Sequence, residues 1–91
     1  MNLGLELYVA DHSVLEHLVN ITELDLTQNQ VTDLSPIASL TKLTSLDLAQ
    51  NDITDISPLT SLTNLTFLRI QDNLVTDISP LAGLTKLTEL N

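Results

Sequence analysis

Cysteine is absent from the 91 residues, and so is tryptophan. Without thiols, disulfides and thiolate metal sites are excluded. A chain free of disulfides suits a reducing compartment, but secreted proteins can also lack them, so the compartment stays open. Aromatic residues are only Tyr8 and Phe67, against a hydrophobic content of 43%. A core of stacked rings is therefore excluded, and the core must be aliphatic. Basic residues are as scarce: three stand against twelve acidic ones, for a formal charge of −9. Such a surface repels phosphate backbones and anionic bilayers, which argues against nucleic-acid binding and membrane insertion. The only glycines are Gly4 and Gly83, so a glycine-rich phosphate loop is ruled out. The start, Met1 to Glu6, lacks a basic leader region, and Glu6 interrupts any apolar run. Neither a signal peptide nor a transmembrane segment is visible. This leaves two localisations open, a cytoplasmic protein or a fragment of a surface or secreted one.

What the chain does have is a period. Ile21, Leu43, Leu65 and Leu87 are spaced 22 apart, and the same shift superposes Leu24, Leu46, Leu68 and Leu90. Leu26, Leu48 and Ile70 coincide, as do Asn29, Asn51 and Asn73, and then Val31, Ile53 and Val75. Thr32-Asp33-Leu34-Ser35-Pro36 returns as Thr54-Asp55-Ile56-Ser57-Pro58 and as Thr76-Asp77-Ile78-Ser79-Pro80, and Leu40, Leu62 and Leu84 close the units. Repetition at such a fixed period marks a stacked-repeat architecture.

Each unit has a physical reading. In Leu43-x-x-Leu46-x-Leu48, Leu46 and Leu48 alternate with Asp47, the period of a strand. Asn51 follows where the chain must leave the sheet, and its amide can satisfy backbone groups that a stacked turn buries. Ser57-Pro58 is a helix-start signal, with the serine hydroxyl expected to cap and the proline to occupy the first turn. The remaining residues allow one turn, expected to be a 3₁₀ helix. One unit alone buries too few side chains to offset the entropy of ordering it, so the units must stack.

The pattern Leu43-x-x-Leu46-x-Leu48-x-x-Asn51-x-Ile53 resembles the leucine-rich-repeat signature. Its 22-residue length, with Thr-Asp-Ile-Ser-Pro-Leu, is similar to the internalin class of bacterial repeats. Eukaryotic phosphatase-regulatory repeats share that length. The resemblance runs from Ile21 to Asn91. It implies an α/β solenoid, with a parallel sheet on the concave face and short 3₁₀ turns on the convex face. For function it implies protein recognition and no more, because one fold hosts many partners.

The expected organisation is a degenerate N-terminal capping repeat over 1–20 and repeats over 21–91, with units 21–42, 43–64 and 65–86 and a partial unit 87–91. Within the cap, Val14, Leu15, Leu18 and Val19 have helical spacing. The sequence stops within a strand, at Leu87 to Asn91. This favours a fragment of a longer repeat protein. A truncated protein that self-associates through its uncapped C-terminal edge and an engineered piece are the competing readings.

Recurring residues are explained by architecture, so function should lie where units differ. Outward strand positions form three columns: Glu23, Ser45, Phe67 and Glu89; Asp25, Asp47, Arg69 and Asn91; and Thr27, Ala49 and Gln71. The binding candidates are Glu23, Asp25, Ser45, Asp47, Phe67, Arg69 and Gln71. An exposed Phe67 beside Arg69 is the kind of pair that anchors interfaces; alternatively, Phe67 is a lone surface apolar residue. Arg69 is expected to pair with Asp47. Adjacent Asp25 and Asp47 are expected to raise the pKa of one of them. Two carboxylates make a poor calcium site, and no metal or other cofactor is expected. Asp33, Asp55 and Asp77 recur identically and are assigned to turn and cap hydrogen bonds. His12 and His17 lack ligand or catalytic company, so no catalytic residue is assigned and the chain is not read as an enzyme. The sequons Asn20-Ile21-Thr22 and Asn64-Leu65-Thr66 read as by-products of the repeat. A protein-binding concave face is the favoured function, and a structural spacer without a ligand the alternative.

Overall fold

The computed structural model describes residues 20–91. The expected capping repeat and its helix, with His12 and His17, fall almost wholly outside the described residues. Four parallel strands, β1 (Glu23–Asp25), β2 (Ser45–Asp47), β3 (Phe67–Arg69) and β4 (Glu89–Leu90), form one sheet in the order β1-β2-β3-β4. Three 3₁₀ helices alternate with them: η1 (Ser35–Ser39), η2 (Ser57–Ser61) and η3 (Ser79–Gly83). The strand register follows the period, pairing Leu24 with Leu46, Leu46 with Leu68, and Leu68 with Leu90. This is the α/β solenoid of leucine-rich repeats, with an open sheet.

The alternation seen in each strand decides which side is core. Leu24, Leu46 and Leu68 are buried, while their strand neighbours face the other way. Leucine, isoleucine and valine from strands, loops and 3₁₀ helices then close over one another in a single aliphatic cluster. Its most enclosed members include Leu43, Leu46, Leu48, Ile53, Leu59, Leu62, Leu65 and Leu68, all at 0% exposure. Burial weakens toward β4 and η3, where Ile78 is 58% and Leu90 45% exposed.

The asparagines bind the turns as their position suggests. The side-chain oxygen of Asn51 accepts from the backbone N–H of Asn29 and of Val31, each at 2.9 Å. Its amide donates to the carbonyls of Leu26 at 2.9 Å, Leu48 at 2.8 Å and Ala49 at 3.2 Å. Asn73 repeats the arrangement one unit on, accepting from Ile53 N–H at 3.0 Å and donating to Leu48 O at 2.8 Å. Each asparagine therefore satisfies groups of its own turn and of the turn before it, where no strand ladder reaches. The residue preceding each asparagine bears the strain of the turn. Gln28, Gln50 and Asp72 adopt left-handed φ values of 59°, 60° and 58°. Nothing in the repeat pattern flagged this, because none of them is glycine.

The helix starts depart from expectation. The serine hydroxyl was expected to cap, yet Ser35, Ser57 and Ser79 are the first helical residues themselves. The aspartate two residues earlier takes the capping role: a carboxylate oxygen of Asp33, Asp55 or Asp77 accepts from that serine's N–H at 2.9 Å. A carboxylate is a stronger acceptor than a hydroxyl, and it reaches the first N–H groups that no helical carbonyl serves. Proline follows directly, where its missing N–H costs nothing. The Asp77 carboxyl is held below its ordinary range, chiefly by the Ser79 N–H and then by the Ser79 side chain.

Candidate concave interaction face

The sheet has two sides, and the core covers one. On the other, the register lines up Glu23, Ser45, Phe67 and Glu89, and beside them Asp25, Asp47 and Arg69. Neighbours in a column stand one strand spacing apart, about 4.8 Å. Side chains distant in sequence thus share one continuous surface. Asn91 follows β4 and joins the sheet through its backbone, its carbonyl accepting from Ile70 N–H at 2.8 Å.

Two expectations about these columns need correction. The third column was read as outward throughout, but Ala49 is 1% exposed, against a half-buried Thr27 and an exposed Gln71. Here the chain is already turning toward the asparagine: the Ala49 N–H donates to the Asp47 carboxylate, and the Ala49 carbonyl accepts from the Asn51 side-chain amide. Only a small side chain at this place sinks from view. Phe67 was read as exposed and is half-buried in the middle of its column.

The two aspartates share one backbone motif and differ in what surrounds it. An oxygen of Asp25 accepts from Thr27 N–H at 3.0 Å and from the Thr27 hydroxyl at 2.6 Å. The same oxygen type of Asp47 accepts from Ala49 N–H at 3.0 Å, and alanine has no hydroxyl to add. The second Asp47 oxygen meets an Arg69 guanidinium nitrogen at 3.3 Å, the ion pair expected from the columns. Adjacent like charges were expected to raise one carboxyl. Asp25 moves the other way: the Thr27 hydroxyl bond holds it below its ordinary value, outweighing partial burial. The Arg69 charge acts in the same direction more weakly.

The other two cations among the described residues lie beside the sheet. Lys42 donates to the Asn20 side-chain oxygen, and Lys86 to that of Asn64, each at 2.9 Å. The Asn64 amide also donates to Thr41 O at 3.0 Å. Both sequon asparagines are thereby built into contacts between units. Among the described residues, no group of three or more histidine, cysteine, aspartate or glutamate side chains could hold a metal ion. No helix among them is long and apolar enough to cross a membrane.

Leu74 was not singled out by sequence, and the structure leaves it 60% exposed. A signal was available, since its counterparts one and two units earlier are Asp52 and Gln30. It departs from the repeat in the same sense as Phe67, by being apolar where the other units are polar.

The fold and its repeating turns define a leucine-rich-repeat protein, and the family model for paired leucine-rich repeats matches residues 19–61, 41–83 and 63–91. The chain belongs to this family. Within it, the chain is related to the internalins. It superposes on internalin C2 of Listeria monocytogenes with a TM-score of 0.85 and 51% identity, over 87% of this chain and 35% of that one. The internalin InlF of the same organism gives 0.82 and 51% identity, over 84% of this chain and 22% of that one. The functional domain of InlJ, also from Listeria monocytogenes, gives 0.76 and 39% identity, over 84% and 17%. The cysteine ladder described for InlJ has no counterpart here, as this chain has no cysteine. The chain therefore spans about a third or less of the length of these structures. No curated protein matches it.

Proposed function

We propose that this chain is a protein-interaction module that receives its partner on the concave sheet face, without catalysis. The observation that carries this reading is the open side of the sheet. Parallel sheets are normally covered on both faces. Here the core covers one side, and the other presents Glu23, Asp25, Ser45, Asp47, Phe67 and Arg69 in registered columns, with Gln71 at the rim. These positions differ between units, so the repeat does not dictate them. Phe67 offers a rigid apolar anchor in the middle, of the type that dominates interface energies. The kinship to internalins supports a binding role for the family at large, and the identity of the partner is left to experiment.

A photo-crosslinking residue placed at Gln71 identifies what docks on this face. Phe67→Ala and Arg69→Glu are expected to weaken capture of that partner by at least about tenfold, as removing an interface anchor does. Their circular dichroism and thermal unfolding should match the parent's. Undiminished capture by both variants would sink the reading.

One observation favours a second reading, a structural spacer. Arg69 is already paired within the chain, so part of the face's charge is internally matched. A spacer predicts that no concave substitution changes any interaction of the intact protein, whereas loss of a whole unit does.

A further inference from the structure

Two apolar side chains of the third unit stand where the other units are polar. Phe67 shares its sheet column with Glu23, Ser45 and Glu89, and Leu74 shares its loop column with Gln30 and Asp52. Gln30 and Asp52 are exposed although another unit is stacked on each, so this place in the repeat faces outward at the inner steps too. The exposure of Leu74 therefore follows from its position in the unit.

The two residues bracket one path. From Phe67 the chain runs through Arg69 and Gln71, leaves the sheet at the left-handed Asp72, and reaches Leu74 just past that corner. Between them Leu68 is buried, and the Asn73 amide is tied to the carbonyls of Ile70 and Gln71, whereas Gln71 and Asp72 are exposed. The strip thus follows a single unit from the concave face over its rim. No other apolar side chain stands in either column, so nothing apolar extends the strip across the units. An extended peptide of about six or seven residues covers its length.

Charge sets the chemistry of what covers it. Glu89 pairs in register with Phe67, Asp52 stands one unit before Leu74, and Asp72 two residues before it. Arg69 is the strip's one cation, and it meets Asp47 at 3.3 Å. The other described cations, Lys42 and Lys86, precede their strands and donate to Asn20 and Asn64, so neither reaches the rim. An acidic segment would be repelled here, and a purely apolar one would strip water from carboxylates without replacing it. We infer that the strip takes a cationic, extended segment of a protein partner, laid along the third unit with one apolar side chain on Phe67 and another on Leu74. The inference rests on the concave face as a binding surface and carries that surface past its rim.

The probe is the peptide Leu-Lys-Lys-Gly-Lys-Lys-Leu, titrated into the full chain and followed by backbone amide NMR shifts. Two control peptides replace its lysines with glutamate or its leucines with glycine. The lysine peptide should move the amides of Phe67, Arg69, Gln71 and Leu74 more than those of Glu23 and Asp25. The glutamate control should bind at least about tenfold more weakly, and the glycine control several-fold more weakly. Leu74→Gln installs the residue type that the first unit carries there, and Asp72→Asn keeps a side chain that tolerates the left-handed turn, so both variants should fold. Each should weaken binding of the lysine peptide several-fold. Shifts confined to the concave columns and untouched by Leu74→Gln and Asp72→Asn overturn the inference and leave the concave reading in place. Equal binding of the glutamate control, or no response to the lysine peptide, also overturns it. The concave reading is then decided separately, by Phe67→Ala and Arg69→Glu against the cross-linked partner.

Discussion

Ile56 and Ile78 occupy the same place in successive units, each within an Asp-Ile-Ser-Pro-Leu segment, and are 1% and 58% exposed. Their local structures agree: both precede a five-residue 3₁₀ helix with proline in its first turn and an aspartate cap at 2.9 Å. What differs is the neighbour. The middle unit has another stacked upon its β2 and η2, whereas the face of β3 and η3 meets only the short β4. The local segment specifies conformation, and the next segment specifies burial. Stability in such an array resides largely between units.

Substitutions at matched places in the two units can break this comparison, and the largest contrast lies in the asparagines. Asn51→Ala strips acceptors and donors from five backbone groups, several of them buried. An unsatisfied buried group costs about 1–3 kcal/mol, so about 4 kcal/mol or more is expected in urea unfolding. Asn73→Ala, whose surroundings are wetter, should cost about half as much. Equal losses would show that the turn alone, and not its enclosure, sets the cost. Next come the isoleucines. Ile56→Ala is expected to cost about 3 kcal/mol, and Ile78→Ala below about 1 kcal/mol, because only the first leaves a cavity.

The smallest contrast is electrostatic and sits on the concave face. Asp25 is held below its ordinary value by the Thr27 hydroxyl, while Asp47 has Ala49 in that place. A carboxyl with a lowered folded-state pKa contributes stability above its unfolded value of about 3.8, and that contribution fades as pH falls through the folded value. Thr27→Val should move the Asp25 titration upward toward 3.8 in carboxyl NMR, and it should reduce the loss of stability below that pH. An unmoved titration would assign the shift to other causes.

How much of this was legible depended on whether a residue's role repeats. The strands, their register, the asparagine turns and the Asp47–Arg69 pair all follow from adding 22 to a position, because parallel stacking turns sequence offset into contact. The aspartate caps were assigned to capping, but the serine hydroxyl was given the larger part. Ser-Pro shows where a helix begins without showing which of two neighbouring polar side chains reaches the first N–H. The burial of Ala49 escaped because a strand's alternation was carried one residue past the point where the backbone turns. The lowered Asp25 escaped because charge counting sees two carboxylates and overlooks a hydroxyl two residues away. The exposure of Leu74 is legible only as a departure from Gln30 and Asp52 in a loop position, outside the strand columns that the period lines up.

The asparagine ladder also gives the molecule a direction in time. An unpaired turn N–H in one unit finds its acceptor only in the asparagine of the next, as Asn29 and Val31 do in Asn51. A growing chain therefore cannot finish a turn when that turn leaves the ribosome. It finishes it about one repeat later, when the following asparagine arrives. Each turn is completed by the unit that follows it, and an altered asparagine is felt upstream as well as in its own turn.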